Sequence, residues 1–302
     1  MINRLKLKSL IFSIFIPFIP TAAFSQLGAL GGVSGIEEGG KVVGPLVTLS
    51  GEVGAPDQGS LGFYLFYTQA TRSFGKPLDE VYAGDPKVRF IYEILFFNYN
   101  PYDVLQIAVM APYVKENVEI TREEGVEKTS VSGLFNPVIR AKYQFLSHPF
   151  VSLALSVLPP TGFSDIGTNT LDIRTAIAMT YKFSFVRLDA EAGYQFAGVW
   201  TDGPAPNDSI SANIAFSREA GERLSVFLEG NYSYGGFLRV GEKAGTQIII
   251  REEYQRKLDL TPGIRVKIAD RLFTTVASRI ALFNYYYLGY HYFYSIGIDY
   301  AF

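Results

Sequence analysis

Histidine and serine are the residues of this chain that come nearest to a catalytic pair. A general base in an enzyme is most often a histidine, and the sequence contains two, His148 and His291. His148 precedes Pro149 in a predicted turn, whereas His291 and Ser295 share the inward face of a predicted strand. A catalytic triad also needs an oriented third residue and an oxyanion donor, and none can be named beside this pair. We therefore expect no enzymatic activity and interpret both histidines as solvated structural residues.

The composition argues against several other chemistries. No cluster of histidines or carboxylates has the spacing of metal ligands, and no glycine loop has the pattern of a phosphate cradle. The chain has no cysteine, which excludes disulfides and thiolate catalysis. Its 27 basic and 29 acidic residues nearly balance, so there is no basic surface for nucleic acid. We expect no metal, no cofactor and no nucleic-acid partner.

Charged side chains recur at alternate positions of apolar segments. Residues 171–183 place Leu171 and Ile173 on one strand face and Asp172 and Arg174 on the other. Successive charges on one face cannot lie in an apolar core, but they can line a wet or salt-bridged lumen. The predicted lumen-lining residues are Arg89, Glu93, Arg140, Lys142, Asp172, Arg174, Lys182, Arg187, Asp189, Glu191, Glu229, Asp259, Arg265 and Lys267. If the lumen is open, its basic excess favours anions or polarised neutral solutes.

Alternating segments that could position these charges run from Leu61 to Phe302. Twelve strands are predicted, at 61–72, 86–97, 104–114, 137–146, 151–157, 171–183, 186–196, 209–217, 223–234, 257–268, 271–283 and 290–302. Their connections switch between short turns and long loops, as in outer-membrane barrels with an even strand number. Two long connections, around 123–125 and 241–245, keep an alternating pattern and are predicted to continue as strands beyond the membrane. The fold class is therefore all-β, a transmembrane antiparallel β-barrel spanning residues 61–302.

The carboxyl-terminal segment predicts how the barrel closes. Large apolar residues share one face and small or polar residues share the other. This pattern resembles the closing strand of bacterial outer-membrane barrels, whose terminal aromatic residue is read by the barrel-insertion machinery. The predicted insertion signal consists of Tyr294, Ile296, Ile298, Tyr300 and Phe302.

The amino terminus predicts export. Arg4, Lys6 and Lys8 precede an apolar run, and Ala23 to Ser25 supply the small residues of a cleavage site. Residues 1–25 are interpreted as a cleaved signal peptide, because Pro17 and Pro20 interrupt a run too short for a spanning helix. Residues 26–60 are glycine-rich and weakly patterned. They are either a periplasmic lead-in, which we favour, or a segment in the lumen.

A family resemblance begins in the loop before the fourth predicted strand. The sequence Gly-Leu-Phe-Asn-Pro-Val-Ile-Arg-Ala-Lys-Tyr-Gln-Phe-Leu occupies 133–146, and Leu-Pro-Pro-Thr-Gly follows at 158–162. These motifs resemble the outer-membrane transporter family associated with the meta pathway of phenol degradation. Phe135 stands where the family usually has a glycine, and Asn136 where it usually has an acidic residue. The resemblance implies a channel-like barrel with aromatic or other hydrophobic compounds as cargo.

Two functions from different classes are consistent with these patterns. The first is an outer-membrane channel or transporter for small solutes in a Gram-negative-type bacterium. The second is a structural or surface-interaction barrel with a closed lumen, whose external hairpins carry the function. Expected partners are outer-membrane lipid, the barrel-insertion machinery and a small-molecule cargo.

Overall fold

The structure is a computed structural model. It describes residues 35–37, 41–43, 48–73, 76–78, 85–122, 125–160, 171–199, 209–244, 247–285 and 289–302. The predicted signal peptide, residues 1–25, lies outside the described residues. So do parts of the glycine-rich stretch at 26–60.

Strands dominate the part of the chain that the structure describes. In chain order they are β1 (Gly35–Glu37), β2 (Lys41–Val43), β3 (Gln58–Ser73), β4 (Lys76–Pro77), β5 (Asp85–Tyr102), β6 (Leu105–Arg122), β7 (Gly125–Leu134), β8 (Val138–Ser147), β9 (Phe150–Leu158), β10 (Leu171–Lys182), β11 (Arg187–Val199), β12 (Ser209–Glu219), β13 (Leu224–Ala244), β14 (Gln247–Ala269), β15 (Leu272–Tyr285) and β16 (Gly289–Ala301). Across the same residues, no helix has the length and apolar character needed to cross a membrane.

Twelve of these strands close into one antiparallel barrel. The order runs from β3 through β5, β6 and β8 to β16, and β16 pairs with β3 to close the ring. The backbones of Phe302 and Gly59 complete the seam, with N–H to carbonyl distances of 2.9 and 3.0 Å. Closure leaves no strand edge to be satisfied by lipid. The predicted all-β barrel of twelve strands is confirmed.

The outer face of the barrel is apolar. Large apolar side chains are exposed at alternate positions of the spanning strands, as in β9, where Leu153 is 51% and Leu155 is 47% exposed. All five residues of the predicted insertion signal, from Tyr294 to Phe302, lie on this outer face. Such a band is the surface that a transmembrane barrel presents to hydrocarbon.

Connections at the two ends of the barrel differ in length. At one end, β5 and β6, β8 and β9, β10 and β11, β12 and β13, and β14 and β15 are joined by turns of a few residues. At the other end, β6 continues to Arg122 and pairs with β7, and β13 and β14 reach 21 and 23 residues. A spanning strand needs about 9–11 residues, so both hairpins extend beyond the membrane, as predicted. Of the predicted positions 123–125 and 241–245, residues 123–124 and 245 lie outside the described part of the chain.

Arg89 and Glu93 do not line the lumen, which corrects their predicted placement. Both are exposed, whereas the alternate residues of β5 are buried inside the barrel. Glu93 pairs in register with Leu65 on one side and Tyr113 on the other, both outward-facing. The prediction failed because β5 is apolar on both faces, so its two charges did not mark the inner one. We expect them to mark the edge of the lipid-facing band that is farther from the short turns.

A matched pair of substitutions tests where this band ends. Leu155→Arg, five residues from the nearest turn, is expected to lower the free energy of unfolding by about 2–4 kcal/mol, because it places a charge near the bilayer midplane. Glu93→Arg is expected to change it by less than about 1 kcal/mol, since the boundary is hydrated. Urea unfolding in phospholipid vesicles measures both. A loss for Glu93→Arg as large as that for Leu155→Arg would contradict the boundary.

Candidate functional site

The interior of the barrel has two walls of different chemistry. One, the charged wall, is formed by inward-facing residues of β8 to β13. Its charged members are Arg140, Lys142, Asp172, Arg174, Arg187, Asp189, Glu191 and Glu229, each at most 7% exposed. The other, the aromatic wall, is formed by β3, β5 and β16. Its members are Tyr64, Phe66, Phe90, Tyr92, Phe96 and Phe293, each at most 4% exposed.

Ten of the fourteen predicted lumen residues are buried inside the barrel: the eight members of the charged wall, together with Asp259 and Arg265. Lys182 and Lys267 lie at the turn end, with side chains 38% and 36% exposed. Arg89 and Glu93 face outward. The alternation of charge therefore predicted the inward face of β8, β10, β11, β13 and β14, but not that of β5.

The centre of the charged wall is a hydrogen-bonded ion pair. Arg174 on β10 contacts Glu191 on β11 through a short hydrogen bond, and it also donates to the Ser211 hydroxyl at 3.1 Å. Glu191 accepts a second bond from the Asn213 amide at 3.1 Å. Arg140 donates to the Ser156 hydroxyl at 3.0 Å. Buried charges are tolerated only when they are paired and hydrogen-bonded in this way.

A segment before the first barrel strand lies against this wall. Residues 48–53, here called the luminal strap, lie inside the barrel, and the exposed fraction of each is at most 9%. Backbone N–H groups of the strap donate to Glu229 at 3.3 Å, to Glu191 at 2.9 Å and to Gln144 at 2.8 Å. Buried backbone groups need partners, and wall side chains supply them here. Of the two locations considered for residues 26–60, this part occupies the lumen.

The fit between strap and wall is close at Gly51. Its N–H donates to the Thr180 hydroxyl at 2.9 Å. A Cβ at this position would lie 2.4 Å from the carbonyl oxygen of Phe150, so only glycine lets the strap approach the wall backbone here. The preference for a periplasmic lead-in missed this, because the strap has no periodicity and its partners lie 90 to 181 residues away in sequence.

Charge anchors the end of the strap nearest the short turns. The Lys142 ammonium donates to the carbonyl oxygens of Ser50 and Glu52 at 3.1 and 2.6 Å. The Glu52 carboxylate accepts from Lys182 Nζ at 2.9 Å and from Arg187 Nη1 at 3.2 Å. Glu52 was not predicted as a lumen residue, and no alternation in its surroundings would have indicated it.

A third group of buried charges lies on β14 to β16. Asp259 Oδ2 is 3.6 Å from Lys257 Nζ and 4.0 Å from Arg279 Nη1, and it accepts a bond from the Tyr290 hydroxyl at 3.0 Å. Among these, Lys257 and Arg279 were missed by the sequence prediction. Lys257 lies two residues before the inward-facing Asp259, and Arg279 lies two residues after the inward-facing Ala277. Applying the two-residue period along the whole of each strand would therefore have predicted both as inward-facing.

The aromatic wall is a continuous set of ring contacts. Phe293 lies 5.5 Å from Phe66 and 5.7 Å from Tyr92, measured between ring centroids, and Tyr64 lies 5.5 Å from Phe96. Gly297 makes room for it, because a Cβ there would lie 2.1 Å from the Tyr64 ring. These distances are those of favourable tilted and offset aromatic pairs.

His291 and Ser295 do not form a catalytic pair. His291 is exposed at an irregularity of the β16 register, which corrects its predicted inward position. The Ser295 hydroxyl donates to the carbonyl oxygen of Ala277 at 3.2 Å. Across the described ranges, no group of three or more acidic or histidine side chains could hold a metal ion.

A closed antiparallel barrel with an apolar outer face and a charged and aromatic interior defines the class of the protein: it is an outer-membrane β-barrel. The chain belongs to the family described as "Putative MetA-pathway of phenol degradation", whose model matches residues 79–282. The resemblance drawn from the motifs at 133–146 and 158–162 is thereby confirmed.

Solved structures show the same fold. An outer-membrane channel from Pseudomonas putida F1 is similar with a TM-score of 0.63 and 12% sequence identity, covering 86% of this chain and 100% of that one. The transport unit of the autotransporter AIDA-I from Escherichia coli gives 0.50 and 10%, covering 81% and 90%. Comparison with curated proteins gives no match.

Proposed function

We propose that the protein is an outer-membrane channel for small solutes, with aromatic or other hydrophobic compounds as its cargo. The observation that carries this proposal is the aromatic wall. The interior of a water-filled porin is polar, whereas here six aromatic side chains face inward in mutual contact. Ring faces and edges of this kind bind planar apolar solutes. Family membership, through a description that names phenol degradation, supports an aromatic cargo.

The charged wall fits the same function. Hydroxyl or carboxyl substituents of an aromatic compound need polar partners once they leave water. The charged wall supplies cations and hydrogen-bond acceptors inside the same barrel that carries the aromatic wall. A solute with an apolar ring and a polar substituent could therefore place its ring against the aromatic wall and its substituent against the charged wall.

The competing function is a structural or surface-interaction barrel with a closed lumen. Two observations favour it: the luminal strap fills part of the interior, and two hairpins extend beyond the membrane. The two functions differ in one measurable property, since only a channel conducts.

Planar-bilayer recordings of the refolded protein test the proposal. We expect an ionic current that phenol reduces by occupying the aromatic wall. Phe293→Leu should raise the half-blocking phenol concentration about three- to tenfold, because an aromatic pair contributes about 0.5–1.5 kcal/mol. Tyr294→Leu, the outward neighbour on β16, is the control and should leave phenol block unchanged. Absence of current from both the full chain and a chain lacking the strap would favour the structural barrel.

Recognition of the carboxyl terminus by the insertion machinery is a separate proposal. The Phe302 ring is 40% exposed and stacks 6.0 Å from that of Phe97, while its backbone closes the seam. Phe302→Ala keeps the backbone bonds and removes the aromatic signal, so assembly should slow and unfolded periplasmic protein should accumulate. Phe302→Tyr should assemble normally. Pulse-chase labelling with heat-modifiable gel mobility measures both, and normal assembly of Phe302→Ala would contradict the signal.

A further inference from the structure

The Glu52 carboxylate sits in a site built by the barrel wall. Its two oxygens contact cations from two strands, Lys182 of β10 at 2.9 Å and Arg187 of β11 at 3.2 Å. Lys142 of β8 donates to the backbone carbonyl of Glu52. Three cationic side chains thus converge on one residue, and that residue belongs to the strap rather than to the wall.

The strap supplies acceptors and negative charge to a cationic part of the wall. Lys142 donates to the carbonyl oxygens of Ser50 and Glu52. The Glu52 carboxylate binds Lys182 and Arg187. On the wall itself, Arg187 Nε binds Asp189 Oδ2 at 2.9 Å, and Thr180 donates a short bond to Asp189 Oδ1. Buried cations need compensating charge or acceptors, so an anion that took the place of Glu52 would meet the same cations.

This site is reachable from the turn end of the barrel. The side chain of Lys182 is 38% exposed, and its ammonium lies 5.2 Å from the centre of the Phe150 ring. The Phe150 ring in turn lies tilted against the His148 ring in the β8–β9 turn, with ring centroids 5.6 Å apart. A solute entering there meets a cation beside an aromatic face before it meets the strap. Those two groups suit a carboxylate attached to a ring.

We propose that this site, formed by Lys142, Lys182 and Arg187, binds the carboxylate of a small organic acid, which displaces Glu52 and releases the luminal strap. The inference deepens the proposed channel function and rests on it, since release of the strap matters for transport only if the lumen conducts. Glu52 acts as a tethered stand-in for the carboxylate. The same contact that holds the strap in the lumen therefore selects the ligand that releases it.

The attachment of Glu52 to the barrel through the strap determines how much free carboxylate is needed to displace it. A group held by a short segment competes at an effective concentration of about millimolar, so free carboxylate should act at about that level or above. Release also breaks the N–H bonds of Leu49, Gly51 and Val53 to the wall. Because those bonds link the carboxylate site to the rest of the strap, we expect residues 48–53 to leave the wall together as one cooperative unit.

The experiment uses the absence of cysteine from the chain. Val53→Cys places one thiol on the strap at a position that is 7% exposed, and its backbone bond to Gln144 is kept. The rate of alkylation of this thiol by a water-soluble maleimide then follows the released population. At constant ionic strength, benzoate at about 20 mM should raise the rate about tenfold. Benzamide, which has the same shape and no charge, should not.

Two further variants complete the test. Val53→Cys with Glu52→Gln should react fast without benzoate, because the amide binds the cations weakly. The control combines Val53→Cys with Asp299→Asn, which removes a buried carboxylate that binds Tyr64 on the other wall. It should show the same alkylation rate as Val53→Cys alone and the same increase with benzoate. Leu49→Cys is a second reporter if Val53→Cys fails to show heat-modifiable mobility.

The outcomes separate the two proposals. Equal rates with and without benzoate, equal effects of benzoate and benzamide, or a slow Glu52→Gln variant would each overturn the carboxylate site. Accelerated alkylation in a protein that passes no current would keep the site and contradict the channel. A current in a protein whose alkylation ignores benzoate would do the reverse.

Discussion

Removal of residues 26–57 is expected to raise the single-channel conductance of the folded barrel severalfold. If the predicted signal peptide at 1–25 is removed on export, the shortened chain begins at Gln58, the first residue of β3. The reason is geometric: the luminal strap crosses the charged wall from Gln144 on β8 to Glu229 on β13 and blocks this part of the interior. The barrel itself should survive, because closure depends on pairing between β3 and β16, which starts at Ser60. Planar-bilayer recording measures the effect.

A point variant separates loss of the strap from damage to the barrel. Glu52→Gln in the full chain keeps every residue and weakens only the ion pairs with Lys182 and Arg187. It should give brief openings to the conductance of the truncated chain rather than a permanently open pore. A truncated chain with normal heat-modifiable mobility and unchanged conductance would show that the strap does not obstruct the path.

The two-residue period of a strand explains how much of this fold the sequence predicts. Residues 171–196 alternate so regularly that the hairpin of β10 and β11 pairs Lys182 with Arg187 and Thr180 with Asp189, with the charges inward as expected. Strand number and closure follow from the same period, together with the terminal aromatic residue. If the alternation is assigned one residue out of step, the inward and outward faces of a strand are exchanged. This happened in the prediction for β5, where Arg89 and Glu93 were assigned to the inward face.

The inward face of β5 and the position of the luminal strap are two features that the alternating sequence pattern did not predict. In β5 the inner face carries Phe90, Tyr92 and Phe96, so the more apolar face points away from lipid. The assumption that charged residues face inward holds where the lumen is hydrated. Where aromatic side chains line the lumen, as at β5, the charged residues of the strand face outward instead. The strap is specified by hydrogen bonds to side chains on four strands, β8, β10, β11 and β13. Such long-range contacts leave no local pattern, so the site at Glu52 is visible only in three dimensions.

The second large effect concerns stability. Arg174→Gln is expected to lower the free energy of unfolding by about 3–5 kcal/mol, because breaking a buried ion pair leaves its partner charged and uncompensated. The side chains of Arg174 and Glu191 are only 6% and 1% exposed. Glu191 would keep its bonds from Leu49 and Asn213, which offset part of the loss. Equilibrium urea unfolding in lipid vesicles, followed by intrinsic fluorescence, measures the change.

A double-mutant cycle identifies the pair as the cause. Arg174→Gln with Glu191→Gln should recover most of the lost stability, since replacing both members of a buried pair leaves no isolated charge. Lys128 and Glu119 form the matched surface pair, 3.4 Å apart with side chains 71% and 28% exposed, and Lys128→Gln should cost less than about 1 kcal/mol. If the double variant is as unstable as Arg174→Gln alone, the loss comes from packing rather than from unpaired charge.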